Sequence, residues 1–287
     1  MKRKKKKVPK GIKNLRKASP AQVAKAFAGE VMLLSKEAAD KFDGEILPSG
    51  LKSLDEALGV GGFPRGRVVE IYGMESSGKT ALCLHIIGCA QRAGGKGGIV
   101  DVENALNINH ARQVGVNIDE LLLSQPDGGE EAMALVLRLL KSKAVDVLVV
   151  DSVAQLQPMK EQEKGIEGST MGGQAQLMSK SMRFVKREAL RSGTLLIFTN
   201  QIRYKIGVVF GNPETTPGGM ALRFAADIRI AMRAKGAYKK KGKILGFESR
   251  LRIVKNKVGV PFTNARLRLR YGVGWRSLKA IDEKDEK

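Results

Sequence analysis

The segment from residue 73 to residue 80 has residue types and spacing suited to phosphate binding. Gly73, Gly78, Lys79 and Thr80 stand at the fixed positions of the pattern G-x-x-x-x-G-K-[ST]. In such a loop the backbone N–H groups converge on an anion, the lysine reaches the outer phosphates, and the hydroxyl is a ligand for Mg²⁺. The pattern predicts a nucleoside triphosphate site whose contacts are Gly73, Met74, Glu75, Ser76, Ser77, Gly78, Lys79 and Thr80.

The segments on either side of this loop support the same interpretation. Val68 to Tyr72 is an apolar run typical of a buried strand, and Ala81 to Gln91 has the periodicity of a helix. A strand–loop–helix order places the loop at a helix N-terminus, where unsatisfied N–H groups and the helix dipole attract phosphate. The alternative, a glycine-rich turn that matches the pattern by chance, does not account for this context.

Polar side chains also follow three other apolar strands. Asp151 ends the run AVDVLVVD and is expected to hold Mg²⁺ together with Thr80. Glu103 follows the strand Ile99–Val102 and is a candidate base for the attacking water, although its position alone fits a surface acid equally well. Gln201 follows the strand LLIFTN, where a neutral amide is suited to detect the terminal phosphate.

Strand and helix patterns alternate along most of the chain. Buried strands separated by helices predict an α/β fold, with a mostly parallel sheet covered on both faces. The pattern changes to β-strands after Ala225. The remaining predicted elements are a capped helix from Ser19 to about Gly29, a strand at Val31–Leu34, a linker at 38–50, helices at Gly129–Ser142 and Gln174–Ser192, and strands at Val145–Asp151 and Leu195–Thr199.

The charge of the chain is high and uneven. The 287 residues carry a net charge of +22. Residues 1–17 hold ten Lys or Arg and no acid, and residues 229–279 hold sixteen with Glu248 as their one acid, whereas residues 18–228 sum to −1. Two basic blocks around a neutral core indicate a polyanionic partner, with nucleic acid first. For the first block a solubilising tail or a nuclear-import signal remains an alternative.

Other sequence features bear on location and on long loops. No run of 18 apolar residues is present, and the charged N-terminus is unlike a signal peptide, so neither a membrane span nor secretion is expected. Cys83 and Cys89 are expected to be buried free thiols in a reducing, cytoplasmic compartment. The segments 159–173 and 202–219 are glycine-bearing loops, and loops of this length are usually functional or mobile.

Five motifs taken together resemble the RecA family of bacterial-type recombinases. They are GMESSGKT, VLVVDSVAQL, TLLIFTNQIR, KIGVVFGNPETTPGG and IVKNKVGVPF, and the resemblance extends from about Leu47 to Tyr271. It implies a RecA-like P-loop ATPase core at 47–275, preceded by a basic tail at 1–17 and a helix–strand unit at 18–46 that docks on a neighbouring subunit. Residues 276–287 are then a short C-terminal tail.

The resemblance implies a homo-oligomeric filament on single-stranded DNA, DNA-dependent ATP hydrolysis with Mg²⁺, homologous pairing and strand exchange. Glu103 then activates water, Lys79 binds phosphate, and Gln201 couples the γ-phosphate to a DNA loop. Lys255 and Lys257 reach the ATP of the neighbour. The implied DNA loops are 160–172 and 202–219. The implied contacts of these loops with DNA are Met171, Gly172, Arg203, Lys205, Phe210, Asn212, Gly218 and Gly219. A second implied site, for double-stranded DNA, is formed by Arg233, Lys239, Arg250 and Arg252.

Several positions depart from the family pattern. Asn107 and His110, on the adenine side of the nucleotide, stand where the family has Asp and Tyr, and Gln176 stands where Arg is common. The chain ends at Lys287, before the family's C-terminal domain, and the basic N-terminal segment is an addition. These departures favour one alternative, an accessory or single-strand annealing protein built on a RecA core. A second alternative, a hexameric helicase or other RecA-fold motor, fits the phosphate loop but not the second loop or the VKNK lysines.

Overall fold

The computed structural model describes residues 19–26, 45–159, 161, 172–205, 207, 211 and 213–278, in two compact units, 1–44 and 45–287. In the first unit helix α1 spans Pro20–Ala26. The predicted capping box is present, since the Ser19 N–H donates to Gln22 Oε1 at 2.8 Å and the Gln22 N–H donates to Ser19 Oγ at 3.3 Å. The predicted strand at Val31–Leu34 and the basic segment 1–17 lie outside the described residues.

The second unit is built on a nine-stranded mixed sheet. In chain order its strands are β3 (Val68–Gly73), β4 (Gly97–Asp101), β5 (Leu122–Ser124), β6 (Val147–Asp151), β7 (Leu195–Gln201), β10 (Ile228–Lys240), β11 (Lys243–Asn256), β12 (Asn264–Arg270) and β13 (Gly274–Leu278). Their order across the sheet is β13-β12-β11-β10-β3-β7-β6-β4-β5. Neighbouring strands are antiparallel in the part β13-β12-β11-β10 and parallel in the part β10-β3-β7-β6-β4-β5. Two short antiparallel pairs join β1 (Ile46–Leu47) to β2 (Phe63–Pro64) and β8 (Arg203–Tyr204) to β9 (Glu214–Thr215).

Helices cover both faces of this sheet, as the sequence predicts. They are α2 (Lys52–Leu58), α3 (Lys79–Arg92), α4 (Ile108–Gln113), α5 (Gly129–Ser142), α6 (Gly173–Ser192) and α7 (Met220–Ala225). Alternate residues of the central strands enter two separate cores: in β7, Leu195 and Ile197 pack with α3, and Leu196 and Phe198 pack with α5 and α6. Because both faces are buried, these strands are continuously apolar, and the α/β class is confirmed.

The predicted element boundaries agree with the structure to within about two residues for the long elements. The sequence patterns missed α2, α4, α7, β5 and β13, which are all short. Leu122 and Leu123 in β5 are 46% and 44% exposed, so this edge strand has neither alternation nor a buried run to mark it. Strand β13 contains residues 274–278, so residues 276–278 continue the sheet. Among the described residues no helix is both long and apolar enough to cross a membrane.

The register of the parallel strands decides which polar side chains meet. Gly73 at the end of β3 is paired with Gln201 at the end of β7, and Asp101 at the end of β4 is paired with Asp151 at the end of β6. The carboxyl ends of parallel strands lie at one edge of a sheet, which is where α/β proteins bind ligands. The phosphate loop, the carboxylates of Asp101 and Asp151 and the side-chain amide of Gln201 are therefore brought to a single edge of the sheet.

Candidate nucleotide and nucleic-acid sites

The backbone of the phosphate loop requires glycine at its two fixed glycine positions. Gly78 has φ 94° and is the N-cap of α3, and a Cβ there would lie 2.8 Å from the Trp275 ring. A Cβ on Gly73 would lie 2.2 Å from the carbonyl oxygen of Met232, on the adjacent strand β10. Neither position has room for a side chain, so the loop lies tightly between α3 and the antiparallel half of the sheet.

Two polar side chains of the loop have properties suited to phosphate. Lys79 Nζ donates to the carbonyl oxygens of Gly73 at 3.2 Å and Met74 at 2.9 Å. Burial lowers the pKa of Lys79, and the charges of Asp151 and Glu103 oppose this shift. Ser77 Oγ is buried and has no hydrogen-bond partner within the described part of the chain. A half-buried cation and an orphaned hydroxyl fit a loop that receives an anionic ligand.

The predicted magnesium ligands are in contact. Thr80 Oγ1 donates to Asp151 Oδ2 at 2.6 Å, and Thr199 Oγ1 donates to Asp151 Oδ1 at 2.5 Å. Burial raises the pKa of Asp151; these two hydrogen bonds oppose the shift, and the nearby charges of Glu103 and Asp101 add to it. Hydroxyl and carboxylate oxygens in a locally negative site are the donor set that Mg²⁺ takes beside phosphate.

Two groups hold Glu103 at the same edge, and a third fixes the turn that follows it. The Ser152 hydroxyl donates to Glu103 Oε1, and the backbone N–H of Glu103 donates to the carbonyl oxygen of Asp151 at 3.3 Å. Asp101 fixes the following turn, since its carboxylate accepts from the N–H groups of Ala105 at 3.4 Å and Leu106 at 3.1 Å. These contacts place Glu103 in the wall of the nucleotide cavity, whereas its sequence position alone fits a surface loop equally well.

This nucleotide cavity has a volume of about 400 Å³. Phosphate-loop residues form part of its wall together with Glu103, Asp151 and Gln201. The rest of the wall consists of Ala81 and of four larger residues that carry rings or an apolar side chain: His110, Phe247, Leu269 and Tyr271. A polar region that contains Lys79 and the loop N–H groups, next to an aromatic region, suits a nucleotide, whose phosphates are anionic and whose base presents two flat faces.

The aromatic wall includes residues that the sequence patterns did not reveal. The ring centroids of Phe247 and Tyr271 are 6.4 Å apart, and the Phe247 ring meets the Trp275 ring edge-on at 5.8 Å. Burial lowers the pKa of His110, which favours the neutral imidazole beside these rings. Asn107 is instead the N-cap of α4, where its side chain accepts from the His110 N–H at 2.9 Å, and it does not line the cavity.

Two side-chain amides join the cavity to the end of the second candidate DNA loop. Buried Asn200 donates to Glu70 Oε1 at 3.0 Å and to the carbonyl oxygen of Pro217 at 3.1 Å, and accepts from the Gln201 N–H at 3.0 Å. Gln174 donates to the carbonyl oxygen of Val153 at 2.7 Å and accepts from the Gly218 N–H at 3.1 Å. Neither bridge was predicted. Residues 217 and 218 are thereby tied to the strand that carries Gln201 and to the turn that follows Asp151.

Lys255 and Lys257 lie away from their own nucleotide cavity. Lys255 is in β11, and its Nζ donates to the carbonyl oxygens of Arg223 at 2.7 Å and Phe224 at 3.1 Å. Lys257 follows the same strand, with its Nζ 3.7 Å from Asp227 Oδ1. Neither residue is in the cavity wall. Within one chain, therefore, these lysines are not brought together with Glu103 and Lys79.

The antiparallel half of the sheet concentrates positive charge. Arg233 in β10 is directly opposite Arg250 in β11, and Arg250 is directly opposite Arg266 in β12. Like charges opposite one another destabilise a sheet unless acids balance them, and Glu248 balances part of this row by pairing with Arg266 at 3.1 Å. Glu214 in β9 pairs with Arg233 at 2.6 Å and links the row to the loop at 202–219. Arg252 lies 6.0 Å from the centre of the Phe262 ring.

The other predicted DNA contacts are only partly described. Arg203 and Lys205 are exposed at the start of the second loop, and Lys239 is exposed near the end of β10. Gly172 is the N-cap of α6, and Gln176 is exposed on its first turns. Gly218 and Gly219 have φ of 83° and 70°. Met171, Phe210 and Asn212 lie outside the described residues.

Comparison with known proteins identifies the family. A family model described as the RecA N-terminal domain matches residues 13–276. Protein RecA 1 of Myxococcus xanthus is 50% identical over 258 residues, which cover 90% of this chain and 75% of that protein. Protein RecA of Methylococcus capsulatus is 50% identical over 258 residues, which cover 90% of this chain and 74% of that protein. Protein RecA of Gluconobacter oxydans is 49% identical over 255 residues, which cover 88% of this chain and 73% of that protein. The chain belongs to the RecA family.

Proposed function

We propose that this protein is a DNA-dependent ATPase that forms filaments on single-stranded DNA and promotes homologous pairing and strand exchange. The observation that carries this proposal is the position of Gln201, which lines the nucleotide cavity and is the last residue of β7 before the loop at 202–219. Loss of the γ-phosphate would thereby be transmitted through Gln201 to the start of the candidate DNA loop at 202–219. Family membership supports the same activity.

In this proposal ATP and Mg²⁺ occupy the nucleotide cavity. Lys79 and the loop N–H groups would bind the phosphates, Thr80 and Asp151 would hold the ion, and His110 and Tyr271 would lie against the base. When bound, the ion would neutralise part of the phosphate charge. Glu103, oriented by Ser152, accepts a proton from the attacking water.

The proposal assigns Lys255 and Lys257 to the nucleotide of a neighbouring subunit. Both are cations remote from their own cavity, and a cation supplied in trans stabilises the negative charge that develops during phosphoryl transfer. Hydrolysis then requires assembly. We further propose that the loops at 160–172 and 202–219 hold the primary single strand, while Arg233, Lys239, Arg250 and Arg252 receive duplex DNA. We place the protein in the cytoplasm, where the buried thiols Cys83 and Cys89 stay reduced.

A joint-molecule assay tests this function. With ATP and single-stranded DNA, product is expected from a homologous duplex and not from a heterologous one. Annealing of complementary single strands without any such product would contradict strand exchange and favour an accessory or annealing protein. Unwinding of a forked duplex in the absence of homology would indicate a helicase instead.

Arg203→Ala is expected to reduce the salt dependence of single-strand binding. Arg203 is exposed at the first position of β8, where its guanidinium is suited to backbone phosphate. The slope of log affinity against log salt concentration should fall by about 0.7 for each phosphate that a subunit no longer neutralises. Fluorescence anisotropy over a salt series measures it, with exposed Arg138→Ala on α5 as the control. An unchanged slope in Arg203→Ala would remove this residue from the interface.

Deletion of residues 2–17 is expected to weaken duplex binding and to slow pairing. The segment carries ten Lys or Arg and no acid, and clustered lysines bind phosphate non-specifically with strong salt dependence. ATPase activity stimulated by single-stranded DNA should stay close to that of the full chain. If duplex affinity at moderate salt is the same with and without these residues, the segment has another purpose, such as solubility or targeting.

A further inference from the structure

Two lysines meet at one buried carboxylate outside the nucleotide cavity. Lys186, on α6, donates from Nζ to Asp227 Oδ1 at 2.8 Å, and Lys257 Nζ lies 3.7 Å from the same oxygen. The side chain of Asp227 is 4% exposed, whereas those of Lys186 and Lys257 are 36% and 46% exposed. The carboxylate is thus enclosed, and both ammonium groups reach it from the solvent side.

Asp227 is held in place by the backbone on both sides of it. Its N–H donates to the carbonyl oxygen of Val68 at 2.7 Å, and its Oδ2 accepts from the Val68 N–H at 3.3 Å. Its carbonyl oxygen accepts from the Lys257 N–H at 2.9 Å. Two of these bonds fix the backbone of Asp227 and the third fixes its carboxylate, so the carboxylate sets the position of the amines that pair with it.

The C-terminal end of α7 gathers a third amine at the same place. Lys255 Nζ donates to the carbonyl oxygens of Arg223 and Phe224, and Lys186 Nζ donates to that of Ala225 at 2.6 Å. The last carbonyl groups of a helix lack partners within the helix, and lysines commonly satisfy them. Three successive carbonyl groups and one carboxylate therefore bring Lys186, Lys255 and Lys257 together.

This lysine cluster, formed by Lys186, Lys255 and Lys257, has more positive charge than its partner neutralises. Burial, together with the charges of Lys257, Lys186 and Arg229, lowers the pKa of Lys255 to about 8, and the charge of Asp227 opposes this shift. Burial and the charge of Lys186 also lower the pKa of Lys257. Amines that repel one another at a partly exposed site are suited to an anion from outside the chain.

We propose that Lys186 is a third cation, beside Lys255 and Lys257, in the site that receives the phosphates of the neighbouring subunit's nucleotide, and that Asp227 positions Lys186 and Lys257. This inference rests on the proposed function, in which Lys255 and Lys257 act in trans. Lys186 lies in α6, on a different element from the VKNK segment, and no motif contains it.

The test is the ATPase activity of Lys186→Met with single-stranded DNA. Removal of one charge-assisted hydrogen bond should lower turnover about ten- to a hundredfold, with ATP affinity of the free subunit unchanged. Exposed Lys180→Met on the same helix is the matched control and should keep full activity. Where Lys186→Met lowers the melting temperature, Lys186→Gln replaces it, because an amide still donates to Ala225 while the charge is removed.

Subunit mixing separates a role in trans from a structural one. Lys186→Met mixed with Glu103→Gln should recover activity, because the intact cavity of the first faces the intact lysines of the second. A loss that mixing does not recover, or full activity in both Lys186 variants, overturns the inference. If Lys255→Ala is fully active, the proposed trans site itself is wrong. If Lys255→Ala is inactive while both Lys186 variants are fully active, the trans site stands and only the inference on Lys186 is wrong.

The pH dependence supplies a second readout that a purely structural contact would not move. Lys186→Gln removes a repelling charge, so the pKa of Lys255 should rise and the alkaline fall in activity should move to higher pH. Asp227→Asn removes an attracting charge, so the fall should move to lower pH. Shifts in opposite directions support the cluster as described, and the absence of either shift contradicts it.

Discussion

Glu103→Gln should bind ATP and assemble on single-stranded DNA, yet hydrolyse ATP about 10²–10⁴-fold more slowly than the unaltered chain. Removal of a positioned general base costs this much when the base acts on the attacking water. The amide keeps the size of the side chain and a hydrogen bond with Ser152 but cannot accept the proton. Steady-state ATPase rates, with nucleotide affinity measured separately, give the comparison.

Glu120→Gln is a suitable control for that prediction, because Glu120 is an exposed acid in the described part of the chain, away from the cavity. It should have ordinary turnover. Near-normal turnover in Glu103→Gln would mean that Glu103 is a surface acid without a catalytic role. Loss of ATP binding in that variant would instead mean that the side chain supports the fold of the cavity.

Lys255→Ala should lower DNA-dependent ATP turnover by about 10³-fold or more, the size of effect known for a cation supplied in trans. The loss should be partly recovered by mixing with Glu103→Gln, because the two lesions then fall at different interfaces. ATP hydrolysis at full rate by a dilute monomer without DNA would contradict the whole scheme. Turnover across a range of protein concentrations measures this directly.

The pKa of Lys255 adds a prediction on pH. Since this pKa is lowered to about 8, the amine is charged below that pH and loses its charge as the pH rises through it. The ratio kcat/KM should therefore fall above about pH 8. Lys255→Arg should retain substantial activity and lack this fall, because a guanidinium stays charged throughout the range. An identical alkaline fall in the arginine variant would assign it to another group.

Local sequence patterns determined the fold class and predicted the phosphate end of the candidate site. The loop at 73–80 has fixed spacing, and the central strands are buried on both faces, which makes them continuously apolar whatever their neighbours are. Asp151 and Gln201 were located because they follow such strands. These features depend on residues close in sequence, so one sequence is enough to find them.

Only the tertiary structure decided which distant residues meet. Phe247 and Tyr271 join the cavity wall through the pairing of β11 with β12, Asn200 meets Glu70 across 130 residues, and Lys186 meets Asp227 across 41. Glu103 was ambiguous until its contacts with Ser152 and Asp151 placed it in the cavity wall. Strand register and helix packing set these contacts, and no periodic pattern along a single element records which residue of another element it will face.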